Sequence, residues 1–295
     1  MMNNFQIPQT RKTAIAALVL AAFLWSTAGL GFRLLTLSNG LAISGYRSFF
    51  AVLFYIAAYK ALPKMEHTGW FKTGIIAYSC VSTLFVMANT LTTAANAIVL
   101  QYTSPIFACV FLFFIFKKPI PRCDLFAAVF ILSGICIFFV DSLTLQASLA
   151  MTLGNAAAVT AGAGFGMMVI VVGRTTTPRN VFTLGNALNV VIALPFILLN
   201  PIESLFDLGV LLYLGIVQIG LAYLLFSFAV SKVSPLELIL IPALEPILNP
   251  IWVFLFDGQA PSLLSVFGGV IIVSTILIWS VHKEKVNKNP SPAAE

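Results

Sequence analysis

The sequence carries very little charge for its length. Of its 295 residues only 9% are Asp, Glu, Lys or Arg, whereas 60% are hydrophobic, and the mean hydropathy is +1.01. Soluble domains carry roughly 25% charged residues, and a chain with so few polar groups lacks enough of them to cover a globular surface. The composition excludes an ordinary soluble domain and indicates a protein that folds in a lipid bilayer.

Residues that build catalytic and metal centres are also scarce. The two histidines, His67 and His282, lie in charged segments, so almost no residues are available to build a metal site or a His-based catalytic centre. The four cysteines form no CxxC pair and are typical of small buried residues; they are Cys80, Cys109, Cys123 and Cys136. The absence of a GxxxxGK[ST] loop argues against direct use of ATP. We expect no enzyme activity, no metal and no cofactor.

Long apolar runs dominate what the chain does contain. Ten runs, at 13–34, 42–61, 70–91, 95–116, 124–141, 149–172, 181–199, 207–230, 236–256 and 262–281, are continuous and close to the length that crosses a bilayer. Barrel strands would instead alternate over roughly ten residues. The predicted fold class is an all-α integral membrane protein with ten transmembrane helices. An alternative for the first run is a cleaved signal peptide, because Arg11 and Lys12 precede it.

The basic residues mark one end of the predicted bundle. All Lys and Arg residues except Arg33 and Arg47 fall in segments that alternate helices place on the same side, whereas the opposite loops carry acids, namely Asp141, Glu203, Asp207 and Asp257. The positive-inside rule then places both termini and the short polar tail from residue 282 in the cytoplasm. This predicts a multi-pass protein of a cell membrane of the bacterial inner-membrane type. It also explains the net charge of +6 without a nucleic-acid partner.

An internal repeat relates the two halves of the chain. Residues 95–135 align without gaps to 236–276 with nine identical pairs, among them Pro105 and Pro246, which both fall inside an apolar run. The repeat unit is five helices, 13–141 and 149–281, and an odd number of spans inverts one copy relative to the other. Inverted repeats with a site at their interface recur in secondary transporters.

The sequence resembles the EamA-type members of the drug/metabolite transporter superfamily. The resemblance is carried by Ser104-Pro105-Ile106-Phe107 through Gly134, by Leu244-Glu245-Pro246-Ile247-Leu248-Asn249-Pro250 through Gly268-Gly269, and by Trp25 and Arg47. It implies a carrier of two inverted five-helix EamA repeats that moves amino acids, other metabolites or drugs, frequently outward.

Glu245 is the residue most suggestive of function. A carboxylate in the middle of a span costs about 2.5–3.5 kcal/mol, so it either serves a substrate amine or a proton, or is a packing residue held by neighbouring donors. Pro242, Pro246 and Pro250 lie on the same helix face, where each removes a backbone hydrogen bond and frees a carbonyl group. The helix is expected to bend there, either for transport or as a static kink.

Arg47 is the second candidate, either as a bidentate partner of a substrate carboxylate or as an interface residue that snorkels outward or pairs with a loop acid. Other polar or aromatic residues at depth either line the pathway or join helices; with the two already named, the predicted pathway residues are Glu245, Trp25, Ser26, Arg47, Asn89, Tyr102, Ser104, Pro105, Asn186, Gln218, Tyr223, Pro246 and Asn249.

These features favour a secondary transporter that carries a small polar metabolite, such as an amino acid, by alternating access and in the export direction. Uptake or exchange, and a channel or scaffold of a different class, are alternatives. The expected partners are the small-molecule substrate and the lipid bilayer, and the chain is expected to act as a monomer or a homodimer.

Overall fold

Helices account for nearly all of the structure. The computed structural model describes residues 10–92, 94–139, 148–257 and 262–288. The helices are α1 (Arg11–Ser26), α2 (Ala28–Leu34), α3 (Gly40–Tyr59), α4 (Gly69–Leu91), α5 (Ala94–Gln101), α6 (Ser104–Phe114), α7 (Arg122–Phe139), α8 (Leu149–Val172), α9 (Pro178–Leu199), α10 (Leu205–Leu212), a π-helix (Tyr213–Leu221), α11 (Ala222–Val230), α12 (Glu237–Leu240), a 3₁₀-helix (Ile241–Leu244), α13 (Glu245–Asp257) and α14 (Leu263–Lys288).

Several helical segments are long and apolar enough to cross a membrane. Among the described residues there are seven, at Arg11–Leu34, Gly40–Tyr59, Gly69–Leu91, Asn96–Phe114, Leu149–Val172, Pro178–Leu199 and Leu205–Val230, together with a shorter apolar helix at Val266–His282. Large apolar side chains on their outer faces are widely exposed, such as Leu263 at 89% and Leu205 at 87%. A surface of this kind is stable against lipid tails and not against water.

Three of the predicted continuous spans are broken helices. In the first span, α1 ends at Ser26 and α2 begins at Ala28. The helix is interrupted there because the Ser26 and Thr27 hydroxyls donate back to the carbonyls of Phe23 and Leu24. The fourth span breaks at 102–103, before Pro105. The ninth changes from α-helix to 3₁₀-helix at Ile241 and returns to α-helix at Glu245.

The prolines of the ninth span act differently from the prediction. Pro242 lies in the first turn of the 3₁₀-helix and Pro246 in the first turn of α13, where an N–H group has no helical partner in any case. They therefore start new helical segments and do not remove hydrogen bonds from one continuous helix. Pro250 lies inside α13, and its side chain is outside the described part of the structure.

The eighth span contains a wide turn that no sequence pattern announced. Residues Tyr213–Leu221 form a π-helix between α10 and α11. Such segments are rare, appear mostly as single turns and often accompany functional sites. The π-helix presents Gln218, which is 4% exposed, to the interior.

Glycines let α8 approach the broken fourth span closely. A Cβ atom at Gly162 would lie 2.7 Å from the Gln101 carbonyl oxygen, and one at Gly166 would lie 2.9 Å from the Ala108 nitrogen and the Ser104 carbonyl oxygen. Only glycine fits at these two positions. The contact holds the break between α5 and α6 against the interior of the bundle.

Candidate functional site

A cavity of about 60 Å³ lies where the helix irregularities meet, which is room for a few water molecules. Its walls come from the ends of α1 and α5, the starts of α6 and α13, the 3₁₀-helix and the π-helix, besides α3, α4, α8, α11 and α12. The residues that line it are Trp25, Arg47, Val81, Ser82, Phe85, Gln101, Tyr102, Ser104, Phe165, Gln218, Ile219, Tyr223, Ile239, Pro242 and Glu245.

Arg47 projects from α3 into this cavity and is only 3% exposed. Its Nη2 atom donates to Gln218 Oε1 at 2.9 Å, and its guanidinium carbon lies 4.9 Å from the centre of the Phe32 ring. The Nε and Nη1 atoms have no hydrogen-bond partner among the described residues. The burial rules out the alternative that Arg47 snorkels to the outer interface.

Trp25 adds another unpartnered donor to the same cavity. Its ring packs 4.9 Å from Tyr223 and 6.4 Å from Phe165, measured between ring centres. Within the described residues its Nε1 atom has no acceptor. The unpartnered polar groups that Arg47 and Trp25 bring to the cavity are therefore all N–H donors, which suit a ligand rich in acceptor oxygens.

Glu245 lies at the start of α13, directly after the 3₁₀-helix that interrupts the ninth span. The Tyr102 hydroxyl oxygen is 2.9 Å from Glu245 Oε2 and also 2.9 Å from the carbonyl oxygen of Pro242. One hydroxyl thus links the breaks of the fourth and ninth spans. Glu245 and Arg47 both line the cavity but do not form an ion pair, and the ion pair found among the described residues is Arg11–Glu237 at 2.6 Å.

The structure brings seven of the thirteen predicted residues to the cavity wall: Trp25, Arg47, Tyr102, Ser104, Gln218, Tyr223 and Glu245. Ser26 lies outside it and accepts a hydrogen bond from Trp252 Nε1 at 2.9 Å. Asn89 donates to the Phe85 carbonyl within its own helix, at 2.8 Å. Pro105 and Pro246 shape the backbone next to lining residues, and the side chain of Asn249 lies outside the described residues.

Asn186 lies one layer behind the cavity. It donates to the Tyr78 hydroxyl at 2.8 Å, and the Tyr78 ring packs 4.8 Å from that of Tyr223. Sequence reasoning did not select the lining residues Ser82, Gln101 and Phe165. Gln101 could have been found from the sequence, because it is a polar residue three positions before Ser104. Phe165 could not, because a single phenylalanine among many does not stand out.

A buried polar network next to the cavity joins three helices. Asn189 of α9 accepts hydrogen bonds from Ser79 and Thr83 of α4, and donates to Ser48 of α3 at 3.2 Å. These groups satisfy one another, as interhelical polar residues in membranes usually do. The network fixes α3, and with it the position of Arg47.

At the basic end, the loop after α3 is tied to the loop after α8. The Glu66 carboxylate accepts hydrogen bonds from the backbone N–H of Thr177 at 2.8 Å and from the Thr176 hydroxyl at 2.7 Å. Partial burial raises the pKa of Glu66, but the hydrogen bonds from both threonines outweigh it and hold the pKa below its ordinary value.

Known proteins share this architecture. One solved crystal structure of a protein matches with a TM-score of 0.75 over 94% of this chain and 99% of that chain, at 18% identity; at that identity the likeness concerns the fold alone. No curated protein sequence matches the chain. The model of the EamA-like transporter family matches twice, over residues 12–140 and 148–281. This multi-pass membrane protein therefore belongs to the EamA-like transporter family, within the drug/metabolite transporter superfamily.

Proposed function

We propose that the protein is a secondary transporter that exports a small metabolite bearing a carboxylate group, an amino acid or a close relative, across the cytoplasmic membrane by alternating access. The observation that carries the proposal is the buried guanidinium of Arg47, which faces the cavity with two unpartnered N–H-bearing nitrogens. The family supplies the general function of a membrane transporter.

The case for a carboxylate rests on the cost of leaving Arg47 unpaired. A buried charge without a partner destabilises a protein by several kcal/mol, so its retention at a cavity wall favours a ligand that completes the pairing. The planar guanidinium matches a carboxylate in a bidentate arrangement. The indole N–H of Trp25 is placed to donate to the same ligand.

Glu245 supplies an opposite pole in the same cavity. Because it is not paired with Arg47, its carboxyl group remains available for a substrate amine. A cavity of about 60 Å³ is smaller than an amino acid, so loading requires the walls to separate. The breaks at 102–103 and at the 3₁₀-helix are places where the walls can bend.

Two features support alternating access by inverted repeats of residues 13–141 and 149–281. The alignment of 95–135 with 236–276 pairs Ser104 with Glu245, and these two residues begin α6 and α13 after the breaks. The family model also matches the chain twice. In this proposal the ten predicted segments all cross the membrane, and the cavity lies at the interface between repeats.

The orientation proposed is that both termini face the cytoplasm, as the basic end requires. One chain contributes every wall of the cavity. The proposed working unit is therefore a single chain, alone or within a homodimer.

Transport by proteoliposomes tests the proposal. Purified protein is reconstituted, and each proteinogenic amino acid is assayed for saturable uptake and for counterflow, which separates a carrier from a channel or a scaffold. Arg47→Gln should raise the KM of the accepted substrate at least about tenfold, and Arg47→Lys should give an intermediate loss because it keeps the charge without the planar fork.

Arg33→Gln is the matched control, because Arg33 lies at the end of α2, outside the cavity. We expect it to transport like the unmodified protein. Wild-type KM values in Arg47→Gln, or the lack of any saturable amino-acid transport, would contradict the proposed substrate class.

A further inference from the structure

We infer that Gln218 of the π-helix sets the preference of the cavity for a carboxylate, because its neutral amide holds the Arg47 guanidinium in place without cancelling its charge. The π-helix is the element that brings this amide to Arg47. The part of the inference that concerns the substrate rests on the proposed function. The part that concerns the contact between Gln218 and Arg47 applies to the empty protein.

Two glycines press the π-helix against α3. A Cβ atom at Gly215 would lie 2.6 Å from the Phe50 Cβ atom and 2.7 Å from the Arg47 carbonyl oxygen. A Cβ atom at Gly220 would lie 2.6 Å from Cδ1 of Phe54. Both glycines belong to the π-helix, so its backbone lies directly on α3 over more than one turn.

The wide turn allows both glycines to face α3. In an α-helix of 3.6 residues per turn, residues five positions apart point in directions about 140° apart. The hydrogen bonds of a π-helix join residues five apart and bring them to the same side. In agreement with this, the Gly215 carbonyl oxygen lies 3.1 Å from the Cβ position of Gly220. An ordinary α-helix would press one glycine against α3 and lose the close approach of the other.

The amide that this contact positions is the hydrogen-bond partner of Arg47. Nη2 of Arg47 donates to Gln218 Oε1 at 2.9 Å, whereas Nε and Nη1 have no partner among the described residues. Arginine has donors only, so the amide oxygen and not the amide nitrogen faces it. The two side chains are 3% and 4% exposed and both line the cavity. The bond fixes the guanidinium, and its positive charge remains for a ligand.

Position 218 is where the protein itself would cancel that charge. The Phe32 ring, 4.9 Å from the guanidinium carbon, is neutral, and among the described residues Glu245 makes no ion pair with Arg47 although both line the cavity. Glutamate differs from glutamine only in having an oxygen in place of the amide NH₂ group. A glutamate at 218 would therefore pair with Arg47 and take the place of the carboxylate of the substrate.

Thermal unfolding in detergent tests the contact without any substrate. Gln218→Glu should raise the melting temperature by at least about 2 °C, because it gives a buried charge its counter-charge. Gln101→Glu makes the same chemical change on the same cavity wall, where no hydrogen bond to Arg47 is made, and should lower the melting temperature. A lower melting temperature in Gln218→Glu, or equal shifts in the two variants, would overturn the role of position 218.

Transport by proteoliposomes tests the specificity. Each accepted amino acid is compared with its carboxamide, which has the same shape and lacks the negative charge. The unmodified protein should prefer the acid at least about tenfold in KM, and Gln218→Glu should lose this preference. Gln218→Leu keeps the bulk of the side chain without the acceptor, so it should raise the KM of the acid about threefold to tenfold and keep the preference. A merely structural role would raise the KM of both compounds alike in every variant.

The role of the π-helix is tested in the same assay. Gly215→Ala should push the π-helix away from Arg47 and raise KM as Gln218→Leu does, whereas Gly209→Ala, with nothing within 4 Å, should leave KM unchanged. An unchanged KM in Gly215→Ala would show that the π-helix does not place Gln218.

The outcomes separate this inference from the proposed function. If Gln218→Glu keeps the preference for the acid, position 218 does not set the specificity, and the proposed function stands. If the unmodified protein transports no amino acid, the proposed function and the specificity both fail. The melting temperatures then still decide whether Gln218 is the residue that leaves the Arg47 charge uncancelled.

Discussion

At the scale of single residues, two tryptophans differ in whether the indole N–H has a partner. Trp25 Nε1 lacks one among the described residues and faces the cavity, whereas Trp252 Nε1 donates to Ser26. Trp25→Phe should lower substrate affinity about tenfold, since a hydrogen bond to a charged group contributes about 1.5 kcal/mol. Trp252→Phe should leave affinity unchanged. Binding titrations on both variants decide it, and equal affinities would argue against a ligand bond from Trp25.

The residues of the cavity were only partly accessible from the sequence. Glu245 and Arg47 were selected because charge is expensive inside a membrane, and the structure places both at the cavity. Ser26, Asn89 and Asn186 were selected by the same polarity criterion, yet their hydrogen bonds are made to the protein itself. Polarity marks a side chain that needs partners, but it does not distinguish partners on a neighbouring helix from those on a ligand.

At the scale of helices, the contact of α8 with α6 predicts a difference between two glycines. Gly166→Ala would place a methyl group 2.9 Å from backbone atoms of α6, and we expect a loss of about 1–3 kcal/mol in stability together with impaired transport, because Ser104 moves. Gly209→Ala, in α10, meets nothing within 4 Å and should be stabilising by up to about 1 kcal/mol. Thermal unfolding in detergent compares the two; an unchanged melting temperature in Gly166→Ala would show that the helices adjust freely.

The hydrogen bonds of Glu66 between the loops after α3 and α8 predict that the stability of the protein depends on pH in the acid range. Because the pKa of Glu66 lies below its ordinary value, its contribution to stability is complete above that ordinary pKa, about 4.3, and is lost as the pH falls through the lowered one. At neutral pH the melting temperature of Glu66→Gln should be lower than that of the unmodified protein, and this difference should vanish in acid. Melting curves between about pH 3 and 7 measure this, with Glu203→Gln in an exposed opposite loop as control. A deficit that is independent of pH would refute it.

The helix irregularities show where sequence patterns lose information. Pro105, Pro242 and Pro246 indicated breaks in the fourth and ninth spans, although the prolines start segments and do not interrupt one. The break at Thr27 and the π-helix at Tyr213–Leu221 have no proline. Both lie in largely apolar runs, and hydroxyl bonds like those of Ser26 and Thr27 at the first break also occur inside an unbroken helix, as at Thr183 in α9. Together they bring Trp25 and Gln218 to one cavity.

At the scale of the whole molecule, the placement of basic residues predicts which loops face the cytoplasm. In a variant with all four native cysteines replaced by serine, Lys64→Cys should react only with a thiol reagent supplied from the cytoplasmic side, and Glu203→Cys only with one supplied from outside. Both positions are exposed loop residues. Labelling of intact cells and of inverted vesicles checks this, and reaction of both cysteines from one side would refute the odd number of spans between the loop after α3 and the loop after α9.

One contact at the basic end joins the first described helix to the last. Arg11, the first residue of α1, reaches the Ser280 carbonyl oxygen in α14 at 3.5 Å and pairs with Glu237 between them in sequence. The first and last helices therefore meet at the same end of the bundle, so a modest peptide linker from the last helix to the first would close the backbone into a covalent ring. Such a cyclic protein would lose conformational entropy mainly in its unfolded state, so that resistance to unfolding would rise while the cavity, many residues from either end, stays as it is.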